Sequence, residues 1–167
     1  MGLVGEVTVR VATGADAEAI RGIYNHEVTS TVATMDLVPR SLDEQREWIA
    51  SRSGAFAALV AVVDGDVVGF GSLSPYKERA AYRTSVEDSV YVRRDVNGQG
   101  IGRELLSGLV DVARASGFHT IFARIEAGGE ASRALHARCG FELVGVEREV
   151  GRKFGRWLDV AIMQLML

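Results

Sequence analysis

The run SVYVRRDVNGQGIGRELL, Ser89 to Leu106, packs Gly98, Gly100 and Gly102 into five positions between two ordered-looking patterns. Glycine costs backbone entropy, so such a knot needs either a tight turn or a ligand that approaches the main chain. The alternation of SVYV reads as a strand. The spacing after the glycines reads as a helix. At a strand–glycine–helix junction, bare amides and the positive end of the helix point at one spot, which suits an anion. A dinucleotide fingerprint is a poor match, because it needs G-x-G-x-x-G after a first strand and the spacing here is G-x-G-x-G in mid-chain. A P-loop needs G-K-[ST], which this junction lacks. Two readings remain open on these residues: a metal-free cradle for the diphosphate of a CoA thioester, and a plain turn.

The surrounding elements follow from periodicity and punctuation. EVTVRVA (6–12) alternates as a strand. Thr13 and Asp16 resemble a capping box, followed by helical spacing at Ile20, Ile23 and Tyr24. Residues 25–39 show no clean period and read as a loop. Ser41 and Glu44 form a capping box that opens a helix to about Arg52. Strands are expected at 55–63 and 64–74, joined as a hairpin at Asp64-Gly65. A polar loop (75–83) leads to a strand at 84–92. After the knot, Leu105, Leu106, Leu109, Val110 and Ala113 mark one face of a helix over 103–116. A strand (118–125), a short helix (131–140) and two strands (141–150 and 157–167) complete the order β-α-α-β-β-β-α-β-α-β-β. This is one α/β domain spanning 1–167, in which crossovers force some parallel pairing and hairpins give the rest. A mixed sheet with helices on both faces is the natural result. The apolar end AIMQLML suits either a core strand or a subunit contact.

Bulk properties narrow the class. Apolar residues make up 47% and charged residues 25%, the balance of an ordinary globular chain. A net charge of -3 supplies no basic field, which argues against a nucleic-acid partner. The single cysteine, Cys139, has no partner for an internal disulfide, and no Cys/His spacing suggests a metal. MGLVGEVTVRVATG lacks the marks of a signal peptide and no apolar run reaches membrane-spanning length, so a cytoplasmic protein without a membrane partner is expected.

VYV, NGQGIG and the amphipathic helix after them resemble the acyl-CoA site of the GCN5-related N-acetyltransferase (GNAT) superfamily, whose pattern is Q/R-x-x-G-x-G/A. Gly100 and Gly102 match, and Asn97 stands at the Q/R position. IYNHEVTSTVATMD (23–36), SPYKERAAYR (74–83), VEDSVYV (86–92), LHARCGF (135–141) and GRKFGRWLDVAIMQ (151–164) are similar to the phosphinothricin and methionine sulfoximine acetyltransferase branch, over nearly the whole chain. The resemblance implies the GNAT fold, acetyl-CoA as co-substrate, transfer to the amino group of a small amino-acid-like molecule, and a homodimer. Other small amines, a protein N-terminus or a non-catalytic CoA-binding module are the alternatives.

On this resemblance the backbone of Val90, Tyr91 and Val92 pairs with pantetheine. The amides of Asn97, Gly98, Gln99, Gly100, Ile101 and Gly102 hold the diphosphate, with Arg103 at a CoA phosphate. Close relatives often carry an Asn where this chain has Gly129, and Ser132 is the candidate to supply the missing cofactor contact. Glu87 is the choice for general base, through a water, because an ammonium must lose its proton before it attacks. Its neighbour Asp88 points to the opposite face. His136 is either a proton-transfer group or a structural histidine. Lys77, Arg79 and Tyr82 form a cationic loop suited to an anionic substrate end. Lys153 and Trp157 close the pocket or meet a second subunit.

Overall fold

The computed structural model describes residues 5–167; the first four residues of MGLVGEVTVRVATG lie outside it. The strands are β1 (Thr8–Val11), β2 (Leu59–Val63), β3 (Asp66–Pro75), β4 (Ser85–Val92), β5 (Thr120–Glu126), β6 (Glu142–Lys153) and β7 (Arg156–Met166). The helices are α1 (Ala17–Ser30), α2 (Leu42–Ala50), α3 (Ile101–Ala115) and α4 (Glu130–Arg138). The strands form one seven-stranded sheet in the order β1-β2-β3-β4-β5-β7-β6. Among the described strands only β4 and β5 pair in parallel, because α3 carries the chain back over the sheet between them. β7 lies between β5 and β6, so AIMQLML is an internal strand and β6 forms the edge.

Each face of the sheet carries its own core. Ile101, Leu105, Leu106 and Leu109 of α3 pack on Leu73, Val86, Ile121 and Ala123. On the other face, Ile20, Ile23, Tyr24 and Val28 of α1 meet Val60 and Phe70, with Ile49 of α2. Each such aliphatic side chain, once fully buried, stabilises the fold by about 1.5–3 kcal/mol.

The expected loop from residue 25 is corrected by the structure, since α1 continues to Ser30. Tyr24, Glu27 and Val28 keep its buried stripe in phase, but the stripe contains a carboxylate. Arg94 neutralises that carboxylate, donating from Nε at 2.8 Å and Nη2 at 2.6 Å. A charged residue on the inner face hid the period. Lys153 is likewise not at a pocket mouth. It is buried, and its Nζ donates to the Thr34 carbonyl (2.9 Å) and the Glu27 carbonyl (3.3 Å). A cation at the carbonyl end of α1 is favourably placed. Trp157 is exposed, with the Arg152 guanidinium 4.7 Å from its ring centroid.

Candidate active site

The site begins with a break in the sheet. β4 and β5 pair only over Ser85–Glu87 with Thr120–Phe122. Beyond that point β4 runs on beside β3, and β5 beside β7, while the two leave each other. A wedge-shaped cleft results, with one row of unpaired backbone groups on each wall. Two bonds that flank the β3–β4 ladder give its phase: Arg93 N–H to the Val68 carbonyl (2.8 Å) and Tyr76 N–H to the Ser85 carbonyl (3.3 Å). Antiparallel pairing alternates, so odd-numbered residues of β4 bond to β3 and even-numbered ones face the cleft. Asp88, Val90 and Val92 therefore present free N–H and C=O groups to it. This corrects the expectation for Tyr91. Its main chain is paired with Phe70, and its ring stacks on Phe70 at 5.3 Å in the α1 core. Buried backbone groups need partners, and an extended ligand entering the cleft supplies them as an added strand would.

The row leads to the glycine knot. Gly98 has φ +79° and Gly100 has φ +84°, where an L side chain is strained. A Cβ built at either would meet no atom within 4 Å, so tight packing is not what demands glycine at these two positions. Gly100 is the residue from which α3 starts, and Asn97 through Gly100 are exposed. The expected cradle loses one donor, because the Asn97 N–H donates to the Arg94 carbonyl at 3.4 Å. The unbonded amides begin at Gly98 and, at the start of a long helix, face open space, as an anion cradle requires. Ile101 contributes only main chain here, because its side chain is buried in the α3 core. Gly102 is helical, and its place is crowded by Leu135 at 3.1 Å from a built Cβ. Arg103 is exposed at the same helix start. Gly100→Ala introduces backbone strain of about 1–2 kcal/mol and puts a methyl group into the open cradle. Calorimetry is expected to show acetyl-CoA binding weakened about tenfold or more, with an unchanged far-UV spectrum.

Glu87 stands where β4 and β5 part, opposite Phe122. It is half-buried and makes no ion pair among the described residues. Burial pushes its pKa above the usual carboxylate value. The charge of Arg124 opposes this, and those of Asp88 and Glu147 add to it. An unpaired carboxylate with raised proton affinity is a competent base.

Asp88 turns to the other face, where it meets His136. His136 Nε2 lies 2.8 Å from Asp88 Oδ2, and Nδ1 lies 2.7 Å from the Ser132 carbonyl. A carbonyl only accepts, so Nδ1 carries a proton. Both residues are buried. Burial works against a charged imidazole, but the bond to Asp88, its charge and the Ser132 carbonyl together hold the His136 pKa above the ordinary value. Both ring nitrogens are engaged within the protein, so that His136 ties α4 to β4. Ser132 enters this tie through its carbonyl.

The loop after β3 is anchored beside Glu87. Tyr76 stacks on Phe122 with centroids 4.3 Å apart, and Tyr82 meets Tyr76 edge-on at 5.7 Å. Lys77 Nζ lies 4.9 and 5.5 Å from those two rings. Arg79 is exposed in the same loop, without an ion pair among the described residues. Sequence reasoning passed over Arg124 and Glu147, which form an ion pair of 2.5 Å near Glu87. The alternation of buried Ile121, Ala123 and Ile125 does place Arg124 off the α3 face, but nothing in the sequence points from it to Glu147. No group of three or more metal-ligating side chains is gathered among the described residues, and no described helix is long and apolar enough to cross a membrane.

Comparison with known proteins bears on the same features. The L-methionine sulfoximine/L-methionine sulfone acetyltransferase of Pseudomonas aeruginosa is 41% identical over 162 residues, covering 96% of this chain and 94% of that one. The phosphinothricin N-acetyltransferase of Streptomyces coelicolor is 42% identical over 160 residues, covering 93% and 94%. The crystal structure of a GNAT phosphinothricin acetyltransferase from Sinorhizobium meliloti, in complex with acetyl-CoA, superposes with a TM-score of 0.92 at 40% identity, covering 96% of this chain and 88% of that one. Residues 9–162 match the acetyltransferase (GNAT) domain. A parted β4–β5 pair that ends on a glycine-started helix, together with this match over nearly its whole length, places the chain in the GNAT acetyltransferase family.

Proposed function

We propose that the protein transfers the acetyl group of acetyl-CoA to the amino group of a small amino-acid-like acceptor of the phosphinothricin or methionine sulfoximine type. One observation carries the reading: the free backbone row of β4 runs from the glycine cradle to the unpaired carboxylate of Glu87. Bound there, acetyl-CoA supplies the activated acetyl group. Val90 and Val92 hold its pantetheine arm through main-chain bonds, and the amides of Gly98 to Gly102 take the diphosphate. Asp88, also on the cleft row, aligns the arm near the point where the strands part. Glu87 accepts a proton from the acceptor's ammonium, directly or through one water, so that the free amine attacks the thioester carbon. The carbon–sulfur bond then breaks, and the CoA thiolate leaves with the proton that the new amide nitrogen gives up. Lys77 and Arg79 receive the acceptor's anionic end, and Tyr82 shapes that subsite.

The exposed apolar side chains of Leu143, Val144, Val146 and Val150 on edge strand β6 suit burial against a second copy, consistent with a homodimer. The test is direct. Purified protein with acetyl-CoA and either phosphinothricin or methionine sulfoximine is expected to give the N-acetyl product by mass spectrometry, with one thiol released per product. Thiol release on a different amine, with neither of these compounds acetylated, overturns the acceptor assignment.

A further inference from the structure

Glu87 is a half-buried carboxylate with a cation close by, yet no ion pair forms. Arg124 lies two residues beyond Phe122 on β5, on the same side of the sheet as Glu87, and its charge acts on that carboxylate. Left to itself, a guanidinium beside a carboxylate closes the pair and pulls the carboxylate pKa down by about 1–3 units, which spoils a base. Here Arg124 Nη2 is turned across β7 to Glu147 Oε1 on β6, at 2.5 Å.

We propose that Glu147 is a positioning residue for the acetyl transfer: it holds Arg124 away from Glu87 and so keeps the base free. This rests on the reading of Glu87 as base. The other charges around Glu87 are already engaged. Asp88, its neighbour on β4, points through the sheet to His136. On the β3 side, opposite Glu87, Ser74 accepts from Arg52 Nη2 at 3.2 Å, and Arg52 Nη1 is spent on the carbonyls of Leu73 and Phe56. Lys77 sits over the Tyr76 and Tyr82 rings. Among the described residues Arg124 is thus the one cation acting on Glu87, and Glu147 is its partner. Both side chains keep partial solvent access, 36% and 38%, so Arg124 has room to swing once released.

The experiment is a double-mutant cycle read by pH–rate profiles. Glu147→Gln removes the holder. The acid limb of kcat/KM is expected to move down by about one pH unit, and kcat at neutral pH to fall about tenfold, as a closing ion pair on Glu87 requires. The KM for acetyl-CoA stays unchanged. In an Arg124→Gln background the same Glu147→Gln change is expected to lose most of both effects, because the cation that would close on Glu87 is gone. Melting curves confirm that each variant is folded, and Glu147→Asp is expected to restore part of the wild-type profile. A purely structural ion pair predicts instead that both single variants lower Tm without moving the acid limb; that result overturns the inference. An equal shift in both backgrounds, the mark of a through-space charge effect alone, overturns it too. Full activity in Glu87→Gln would remove the base reading itself, and the inference with it, whereas an inactive Glu87→Gln beside an unshifted Glu147→Gln removes only the inference.

Discussion

Glu87→Gln is expected to lower kcat by about 10²–10⁴-fold, while acetyl-CoA affinity by calorimetry changes little. The split follows from position. In the proposed reading the cofactor is held by the main chain of Val90, Val92 and Gly98 to Gly102, which Gln leaves intact, and the proton acceptor is the Glu87 side chain at the point where β4 and β5 part. The pH profile of the wild type carries the same information. Burial raises the Glu87 pKa, so kcat/KM is expected to climb with pH through a limb lying above the ordinary glutamate value of about 4.3. That limb should vanish in the Gln variant. Stability moves the other way. A carboxyl whose folded pKa is raised binds its proton more tightly in the native state, so its ionisation near neutral pH opposes folding. Glu87→Gln is therefore expected to melt at or above the wild-type temperature. A variant that keeps its activity, or loses it together with its melting transition, contradicts the assignment.

Asp88→Asn is expected to be the most destabilising single change near the site. Removing one partner of a buried ion pair costs about 3–5 kcal/mol, a drop in Tm of roughly 10 °C for a chain of this size. The sign of its pH dependence follows from His136. Its folded pKa lies above the unfolded value of about 6.5, so the pair's contribution is fully present below that value and is lost as pH rises through the folded pKa. The Tm gap between wild type and Asp88→Asn should be wide at pH 6 and narrow at pH 9, as measured by circular dichroism. A gap that widens with pH would refute the charged pair. His136→Asn, if folded, should retain most of kcat, since neither ring nitrogen is free to serve the reaction. A loss of 10²-fold in a folded His136→Asn would return the histidine to the chemistry.

Local chemistry determined much of this protein. The Ser41–Glu44 capping box forms as its spacing predicts, with Ser41 N–H donating to Glu44 Oε2 at 2.7 Å and Glu44 N–H donating to Ser41 Oγ at 3.2 Å. Asp64 and Gly65 take the positive φ values, +50° and +85°, that a tight hairpin turn asks of that pair. The order of strands and helices and the strand–glycine–helix junction were legible for the same reason: each is governed by contacts within a few residues. The resemblance of whole segments carried the family. What depended on distant partners was not legible. The length of α1 was hidden because Glu27, on its buried stripe, is neutralised by Arg94, 67 positions away. The role of His136 turned on Asp88, 48 positions earlier. The cleft exists only because the β4–β5 ladder stops after Glu87, and Arg124 and Glu147 meet only because β7 inserts between β5 and β6. Periodicity and capping are short-range properties that a linear string records. Which buried charge finds which partner, and where two strands part, is settled only when the sheet assembles and the remaining polar groups must be satisfied in three dimensions.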